Sequence, residues 1–308
     1  GCTMVIKPSD FTPYSALALC VLAERAGIPK GVLNVLTGRP EAIGATLTAS
    51  PVVRKLSFTG STRVGALLAE QCAPTLKKMS LELGGNAPFI VFDDADLDAA
   101  VEGAMASKFR NGGQTCVCAN RILVQSGIHD AFVAALAARV DALRVAVGTE
   151  AGAEIGPMIN AAAIEKISAH VEDALAKGAT RATAARDLPE QFADPVVLTG
   201  ATPEMRLASE ETFGPVAPIF RFETEDEALR IANGTPFGLA AYFYTTDMAR
   251  AFRFGEALEA GLVGLNTGAV SHAEAPFGGV KSSGLGREGA QEGIEEYLET
   301  KAFHFAGL

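Results

Sequence analysis

The stretch Lys55-Leu56-Ser57-Phe58-Thr59-Gly60-Ser61-Thr62-Arg63-Val64-Gly65 contains the pattern that decides the fold. Residues 55–58 predict a short β-strand, residues 59–62 a turn, and the apolar spacing over residues 64–71 a helix. Upstream, the same alternation predicts two strands and a helix between them, over residues 3–6, 31–36 and 15–26. Because short apolar strands that alternate with helices form parallel sheets, we predict a doubly wound α/β sheet that is entered midway.

Downstream of residue 82 the chain predicts a second α/β region. The predicted strands cover residues 87–92, 120–125, 215–221 and 240–244, and the predicted helices residues 97–108, 129–144 and 159–177. Residues 301–305 predict a short terminal strand. We therefore expect a partial Rossmann-like, dinucleotide-binding domain over 1–83, a second α/β domain over 84–284, and a C-terminal tail over 285–308.

Composition narrows the possible partners. The 308 residues are 48% hydrophobic, which suits two packed domains, and the net charge of −10 argues against a nucleic-acid partner. The five cysteines are irregularly spaced, so they predict no disulfide framework, and Cys116-Val117-Cys118 lacks the spacing of a metal site. Without a membrane-length apolar run or a leading signal segment, the sequence predicts a cytoplasmic protein with no membrane partner.

Two residues are candidates for covalent chemistry. Cys116 follows the glycine turn in Phe109-Arg110-Asn111-Gly112-Gly113-Gln114-Thr115-Cys116, and such a turn exposes a thiol and aims backbone N–H groups at an oxyanion. The alternative is a buried structural cysteine. Glu82 ends a predicted strand just before Gly84-Gly85, which suits a general base that activates water, although a solvated loop charge has the same pattern.

Two further pairs of residues are candidates for binding a nucleotide. Gly60 and Ser61 lie where a predicted strand gives way to a helix, and helix N-termini bind phosphate groups. An ordinary helix cap by Ser61 is the alternative. Lys7 and Asp10 follow the first predicted strand, where polar side chains meet an adenosine ribose, unless they only belong to a solvated turn.

Four ordered segments carry a family resemblance: residues 81–92, 109–121, 210–218 and 276–289. They contain Glu-Leu-Gly-Gly at 82–85, Gly-Gln-Thr-Cys at 113–116, Glu-Thr-Phe-Gly-Pro at 211–215 and Pro-Phe-Gly-Gly at 276–279. In these segments the chain resembles the aldehyde dehydrogenase superfamily, and within it the succinate-semialdehyde dehydrogenase branch. The similarity runs from Gly1 to Leu308.

The resemblance implies roles for single residues. Cys116 matches the family's nucleophile and Glu82 its deacylating base. The residues that match or neighbour its cofactor site are Lys7 and Asp10 at the adenosine ribose, Gly60 and Ser61 at the pyrophosphate, Glu211 at the nicotinamide ribose, and Phe213 at the nicotinamide. Arg110 and Ser271 match residues that bind a distal substrate carboxylate, although Arg110 could instead pair with Asp93 or Asp94. Cys118 matches a second cysteine that pairs with the nucleophile as a redox switch in some members, the alternative being a small packed residue that never reacts.

The function implied is NAD(P)-dependent oxidation of succinate semialdehyde to succinate through a cysteine thiohemiacetal and a thioester, without a metal. The alternatives are a related semialdehyde such as glutarate semialdehyde, or an inactive truncated fragment that only binds nucleotide or partner subunits. The terminal strand of this family implies a homodimer or homotetramer.

Two departures from the family pattern affect these expectations. Asp10 stands where NAD users usually have Glu and NADP users of this branch often have Ser, so it favours NAD, although Ser9 could assist a phosphate. Family members also carry a further N-terminal portion, with an oxyanion-hole Asn and another carboxylate-binding Arg. The given sequence starts after both.

Overall fold

The structure, a computed structural model, describes residues 2–307 and divides into two compact units. The first unit comprises the residues up to Leu56 together with Ala66–Met79. The second comprises Ser57–Gly65 together with the residues from Ser80 onward. The boundaries expected from the sequence, at 1–83, 84–284 and 285–308, stay predictions.

The first unit contains two strands and two whole helices: β1 (Met4–Ile6), α1 (Tyr14–Arg25), β2 (Leu33–Val35) and α2 (Pro40–Ala49). β1 and β2 pair in parallel, with Met4 opposite Leu33, so α1 is the crossover of a strand–helix–strand motif. Three elements have residues in both units: β3 (Lys55–Thr59), α3 (Thr62–Cys72) and β4 (Lys78–Glu82).

The second unit is built on a seven-stranded sheet of order β12-β11-β5-β6-β9-β8-β7, in which only the edge strand β7 is antiparallel. All strands that lie wholly in the second unit are β5 (Ala87–Val91), β6 (Ala119–Gln125), β7 (Thr180–Arg181), β8 (Val196–Thr199), β9 (Val216–Phe222), β10 (Phe237–Gly238), β11 (Ala240–Tyr244), β12 (Leu262–Leu265), β13 (Val280–Lys281) and β14 (Gly284–Leu285). β10 pairs with β13, and β14 joins β4 and β3 in a three-stranded sheet.

The second unit also contains the helices α4 (Leu97–Lys108), α5 (His129–Asp141), α6 (Ala161–Ala176), α7 (Arg206–Ser209), α8 (Glu225–Asn233), α9 (Met248–Ala257) and α10 (Glu292–Glu295). Four of them begin at a side chain that accepts a backbone N–H, namely Asp96, Asn160, Thr224 and Asp247. Alternate residues of β5 enter two different apolar clusters, as a strand buried on both faces requires.

The predicted α/β fold is confirmed, and α4 and β11 have the predicted bounds. The sequence analysis did not predict α2, α8, α9, β8 or β12. Residues 301–307 are exposed and belong to no strand of the described chain, because a strand needs hydrogen bonds to a neighbouring strand. Pairing of this tail with another subunit stays a prediction. Within residues 2–307 no helix combines the length and the apolar character that crossing a bilayer demands.

Candidate active site

The loop that carries the candidate thiol begins with a left-handed turn directly after α4. Asn111, Gly112 and Gly113 have φ of 53°, 63° and 75°. A Cβ at Gly113 would lie 2.2 Å from the carbonyl oxygen of Gly214, so no side chain fits there. Asn111 and Gln114 close the turn, since each donates its side-chain amide to the carbonyl of the other, at 3.0 and 3.1 Å.

Cys116 is a partly exposed free thiol close to two acidic side chains. Burial raises the pKa of the Cys116 thiol and the Glu211 and Glu82 carboxylates raise it further, while the backbone N–H groups of Cys116 and Val117 lower it. The thiol is therefore protonated at neutral pH, and it needs a proton acceptor before it can attack a carbonyl. The same two N–H groups can donate hydrogen bonds to an oxyanion.

Glu82 lies at the end of β4 and is 3% exposed. Burial raises its pKa to about 7, with a further rise from Glu288 and an opposing effect of Arg287. Within the described residues its Oε2 atom has no hydrogen-bond partner. A Cβ at Gly278 would come within 3.0 Å of Oε1, so this glycine leaves room for the carboxylate. A carboxyl group that exchanges its proton near neutral pH suits general base catalysis.

Gly84 and Gly85 let three chain segments approach one another. The backbone N–H of Gly85 donates to Oε1 of Glu211 at 3.1 Å, and a Cβ on Gly85 would lie 2.7 Å from the carbonyl oxygen of Cys116. A Cβ on Gly84 would lie 3.1 Å from Oε2 of Glu211. Burial raises the pKa of Glu211, against the lowering effect of the Gly85 N–H. The Gly-Gly pair thus brings Glu211 to the Cys116 loop.

Phe213 follows two residues later with φ of 57° and a side chain that is 37% exposed. A left-handed backbone is strained for an aromatic residue, and such strain is often found at ligand sites. Both features suit a ring that is presented to a ligand.

Ser61 lies at the N-terminus of α3, in the part of that helix that belongs to the second unit. Its Oγ accepts the backbone N–H of Val64 at 3.4 Å, so Ser61 caps the helix, as its alternative interpretation held. At Gly60 a Cβ would lie 2.4 Å from the Phe58 ring. First-turn N–H groups of a helix lack intrahelical acceptors, so they remain suited to a phosphate.

Lys7 and Asp10 belong to the first unit. The Lys7 ammonium and the Asp10 carboxylate form an ion pair with Nζ and Oδ1 2.6 Å apart. The lysine therefore carries a local acid partner, which reduces its attraction for an additional phosphate.

Arg110 is exposed at the end of α4 and forms no ion pair within residues 2–307. The two acids that could have paired with it have other partners. Asp93 accepts the backbone N–H of Ile128 at 3.1 Å, and Asp94 pairs with Arg250 at 2.7 Å. The competing interpretation of Arg110 as one half of a structural ion pair is therefore wrong.

Ser271 is exposed on the loop that follows β12. A Cβ at Gly268 of this loop would lie 2.1 Å from the carbonyl oxygen of Gly103, so the loop packs directly on α4. Arg110 follows Gly103 by about two helical turns. The loop that carries Ser271 thus contacts α4, and Arg110 follows the end of this helix by two residues, although the Ser271 and Arg110 side chains do not hydrogen-bond to each other.

Cys118 is buried, and its thiol donates to the carbonyl oxygen of Lys108 at 3.2 Å. Burial raises its pKa. The Cys116 and Cys118 thiols are both free, so the predicted redox pairing stays a prediction.

Some residues that support the site were not found in the sequence analysis. Asn120 donates its side-chain amide to the side-chain oxygen of Asn86 at 2.6 Å and to the carbonyl oxygen of Glu210 at 3.1 Å. It also accepts the backbone N–H of Thr212 at 3.1 Å. The sequence pointed to the motif at 211–215 but not to Asn86 or Asn120, because asparagines that are far apart along the chain form no recognisable motif. No group of three or more metal-ligating side chains occurs among residues 2–307.

Comparisons with known proteins show which family the chain belongs to. The model of the "Aldehyde dehydrogenase family" matches residues 1–303. The chain is 59% identical over 100% of its length to 3-sulfolactaldehyde dehydrogenase of Pseudomonas putida and 58% identical over 98% to glutarate-semialdehyde dehydrogenase of the same species. It is 57% identical over 98% of its length to succinate-semialdehyde dehydrogenase (NADP+) of Escherichia coli.

These alignments cover 64%, 63% and 63% of the relatives' own length, so the chain spans slightly under two thirds of each. A solved aldehyde dehydrogenase from Brucella melitensis biovar abortus 2308 is 64% identical and superposes with a TM-score of 0.96, covering 97% of this chain and 62% of that one. The resemblance found in the sequence is confirmed: the chain belongs to the aldehyde dehydrogenase family.

Proposed function

We propose that the protein containing this chain oxidises succinate semialdehyde to succinate with a nicotinamide cofactor. The observation that carries the proposal is the grouping of one thiol with two carboxylates, since Glu82 and Glu211 both act on the pKa of Cys116. A carboxyl group whose pKa is about 7 suits the base that activates the hydrolysing water, and the thiol near it suits the nucleophile.

In the proposed reaction the Cys116 sulfur bonds to the aldehyde carbon as its proton passes to solvent, which the partly exposed side chain reaches. The N–H groups of Cys116 and Val117 donate to the resulting oxyanion. When bound, NAD or NADP would supply the hydride acceptor that turns the thiohemiacetal into a thioester. Glu82 takes a proton from water as the water oxygen bonds to the thioester carbon. The carbon–sulfur bond then breaks, succinate is released, and the proton on Glu82 returns to the Cys116 sulfur.

The residues of the second unit fit a nicotinamide nucleotide. One oxygen of Glu211 is held by the Gly85 N–H, and its other oxygen, Oε2, has no donor within the described residues, so it can accept a ribose hydroxyl. We assign the nicotinamide side to Phe213 and the pyrophosphate to Gly60 and Ser61. By the family resemblance, Lys7 and Asp10 would serve the adenosine ribose.

The distal acid of the substrate is assigned to Arg110 and Ser271. Arg110 is an exposed guanidinium that has no acidic partner in the described part of the chain, and guanidinium groups bind carboxylates through two parallel hydrogen bonds. The names of the three relatives all describe aldehydes with an acidic group, which supports an anionic substrate.

The decisive assay is steady-state oxidation of succinate semialdehyde, glutarate semialdehyde, sulfolactaldehyde and butanal by the purified protein. We expect the highest kcat/KM for succinate semialdehyde and the lowest for butanal. A higher kcat/KM for one of the other anionic aldehydes would identify that aldehyde as the substrate instead of succinate semialdehyde. Nucleotide binding without turnover of any aldehyde would favour the alternative of an inactive fragment.

Arg110→Ala is expected to raise KM for succinate semialdehyde about 10- to 100-fold, because a charge-assisted hydrogen bond contributes about 1.5–3 kcal/mol. KM for butanal, which has no acid to bind, should change less than about threefold by the same argument. Steady-state kinetics of both substrates test this. Arg139→Ala, a change at an exposed arginine of α5, is the matched control and should affect neither. An equal rise for both substrates would contradict the role.

Asp10→Ser is expected to shift cofactor preference towards NADP. The carboxylate of Asp10 repels a 2′-phosphate and neutralises Lys7, so its removal should improve NADP use about tenfold relative to NAD. The measurement is kcat/KM for both cofactors, with Asp10→Asn as the control that keeps the side-chain size. We expect the unchanged chain to prefer NAD, unlike its relative named for NADP. An unaltered ratio in Asp10→Ser would refute the assignment.

Peroxide is expected to inactivate the enzyme reversibly through a Cys116–Cys118 disulfide. To form it, the Cys118 sulfur has to leave the Lys108 carbonyl, and a bond between residues so close in sequence is strained and easily reduced. Activity should return with dithiothreitol. Cys118→Ser should be inactivated irreversibly, because Cys116 then oxidises further. Irreversible loss in both forms would exclude the switch.

We further propose a homodimer or homotetramer that pairs through the C-terminal tail. Phe303 and Phe305 in this tail are 74% and 68% exposed, which suits burial against another subunit. Light scattering of a version that ends before residue 300 tests the assignment, since that version should be monomeric.

A further inference from the structure

His170 is a completely buried histidine that bridges the two residues on either side of Glu211. It lies in α6 and is 0% exposed. Its Nδ1 atom is 3.1 Å from Oγ1 of Thr212, and its Nε2 atom is 3.2 Å from Oε2 of Glu210. The imidazole therefore holds the candidate ribose-binding residue from both sides without touching its carboxylate.

The partners determine how the ring is protonated. A carboxylate only accepts hydrogen bonds, so Nε2 carries the proton that is donated to Glu210. In the neutral ring Nδ1 then accepts the hydroxyl proton of Thr212. Burial lowers the pKa of His170 and Glu210 opposes this, while Lys166 and Arg206 lower it again. The neutral ring is thus the resting form at pH 7.

The surrounding contacts hold Glu210 firmly and leave His170 as the hydrogen-bond partner of the Thr212 hydroxyl. Arg206 holds Glu210 through two hydrogen bonds of 3.1 Å, and Asn120 binds the backbone of both Glu210 and Thr212. Among residues 2–307, the Thr212 hydroxyl hydrogen-bonds only to His170. The next residue, Phe213, has a left-handed φ of 57°, so the backbone there departs from its relaxed conformation.

We propose that His170 is a positioning residue, whose neutral imidazole bridge from Glu210 to Thr212 fixes the Glu211–Phe213 segment for binding the cofactor. The inference rests on the proposed cofactor role of Glu211 and Phe213. His170 touches neither the reacting carbon nor the nicotinamide in this proposal. It acts only through the segment that it holds.

The test uses equilibrium titration of NADH and NADPH binding to the purified protein. Thr212→Val keeps the side-chain shape and removes the hydroxyl, so it should weaken binding of the preferred cofactor about fivefold. Thr212→Ser keeps the hydroxyl and should bind as the unchanged protein does. His170→Leu should weaken binding to a similar degree, and His170→Leu with Thr212→Val should add little, because both remove the same bond. KM for the aldehyde should stay unchanged in Thr212→Val.

The pH dependence of cofactor affinity is a second readout, and a simple loss of packing would not change it. Protonation turns Nδ1 from an acceptor into a donor, so the Thr212 hydroxyl has to rotate and the geometry of the bridge changes. Cofactor affinity should therefore change as the pH drops below 6.5, the ordinary pKa of histidine. Thr212→Val should lack this component of the pH dependence. His129→Asn changes a buried histidine of α5 and is the matched control that should leave cofactor affinity unaltered.

The outcomes separate this inference from the function on which it depends. Equal affinity of the unchanged protein and Thr212→Val, or additive losses in the double variant, would overturn the role of His170 while the proposed oxidation stands. If the unchanged protein binds neither dinucleotide, both proposals fail. If His170→Leu does not fold, the comparison of Thr212→Val with Thr212→Ser decides.

Discussion

Cys116→Ser is expected to lower aldehyde oxidation at least about 1000-fold, because removal of a covalent nucleophile removes the whole pathway that it begins. A serine hydroxyl lacks the acidity and polarisability of a thiol, and Glu82 at a pKa of about 7 is too weak a base to ionise it. Cofactor binding should be unchanged, since Glu211 is held by the Gly85 N–H and not by the Cys116 side chain.

The measurement pairs steady-state turnover with cofactor titration on the same preparation. Cys118→Ser is the matched control, because its buried thiol is directed to the Lys108 carbonyl and away from any role in attack. It should retain most of its activity. Substantial turnover by Cys116→Ser would show that another group forms the covalent bond.

Glu82→Gln is expected to slow steady-state turnover about 100- to 10000-fold, the range for loss of a general base. Acylation of Cys116 should persist, because the amide is nearly isosteric with the carboxylate. A rapid-mixing experiment should therefore show a burst of reduced cofactor of about one equivalent per site, followed by very slow turnover. Absence of the burst would assign Glu82 to the first half of the reaction instead.

The pH profile follows from the raised pKa of Glu82. Its ionised form is the base, so turnover should rise as the pH increases through about 7. Glu288→Gln removes a like charge that raises this pKa, so the rise should move to lower pH. An unmoved profile in Glu288→Gln would show that a different group titrates. The control for general surface charge is Glu292→Gln, at an exposed residue of α10.

The same shift affects stability. The Glu82 carboxyl has a pKa of about 7 in the fold against 4.5 ordinarily, so the unfolded chain loses this proton first as the pH rises. Burial of the carboxylate therefore costs stability above pH 4.5, increasingly up to pH 7. Glu82→Gln should then unfold at higher denaturant concentration than the unchanged protein at pH 8, while the difference should vanish at pH 4.

Local sequence was enough for the fold class and for the family. The predicted bounds of α4 and β11 hold because the buried residues of α4 follow helical spacing and β11 is a continuous buried apolar run of strand length. By contrast, α8 is short and begins with a charged first turn, and β12 is interrupted by Gly264, so neither was predicted. Apolar content identifies elements whose own residues are mostly buried, and it misses short elements that are rich in charge or contain glycine.

The candidate site divides in the same way. The sequence by itself determined the chemical groups: a cysteine after a glycine turn, a glutamate before Gly84-Gly85, and the motif around Glu211. Only the tertiary structure decided their protonation, because the pKa of Glu82 depends on burial and on Glu288, 206 positions along the chain. The sequence also could not predict the His170 bridge, because His170 and Thr212 are 42 residues apart along the chain. Burial and long-range contacts arise only when the sheet assembles, and they set the charge and position of groups that the sequence can only name.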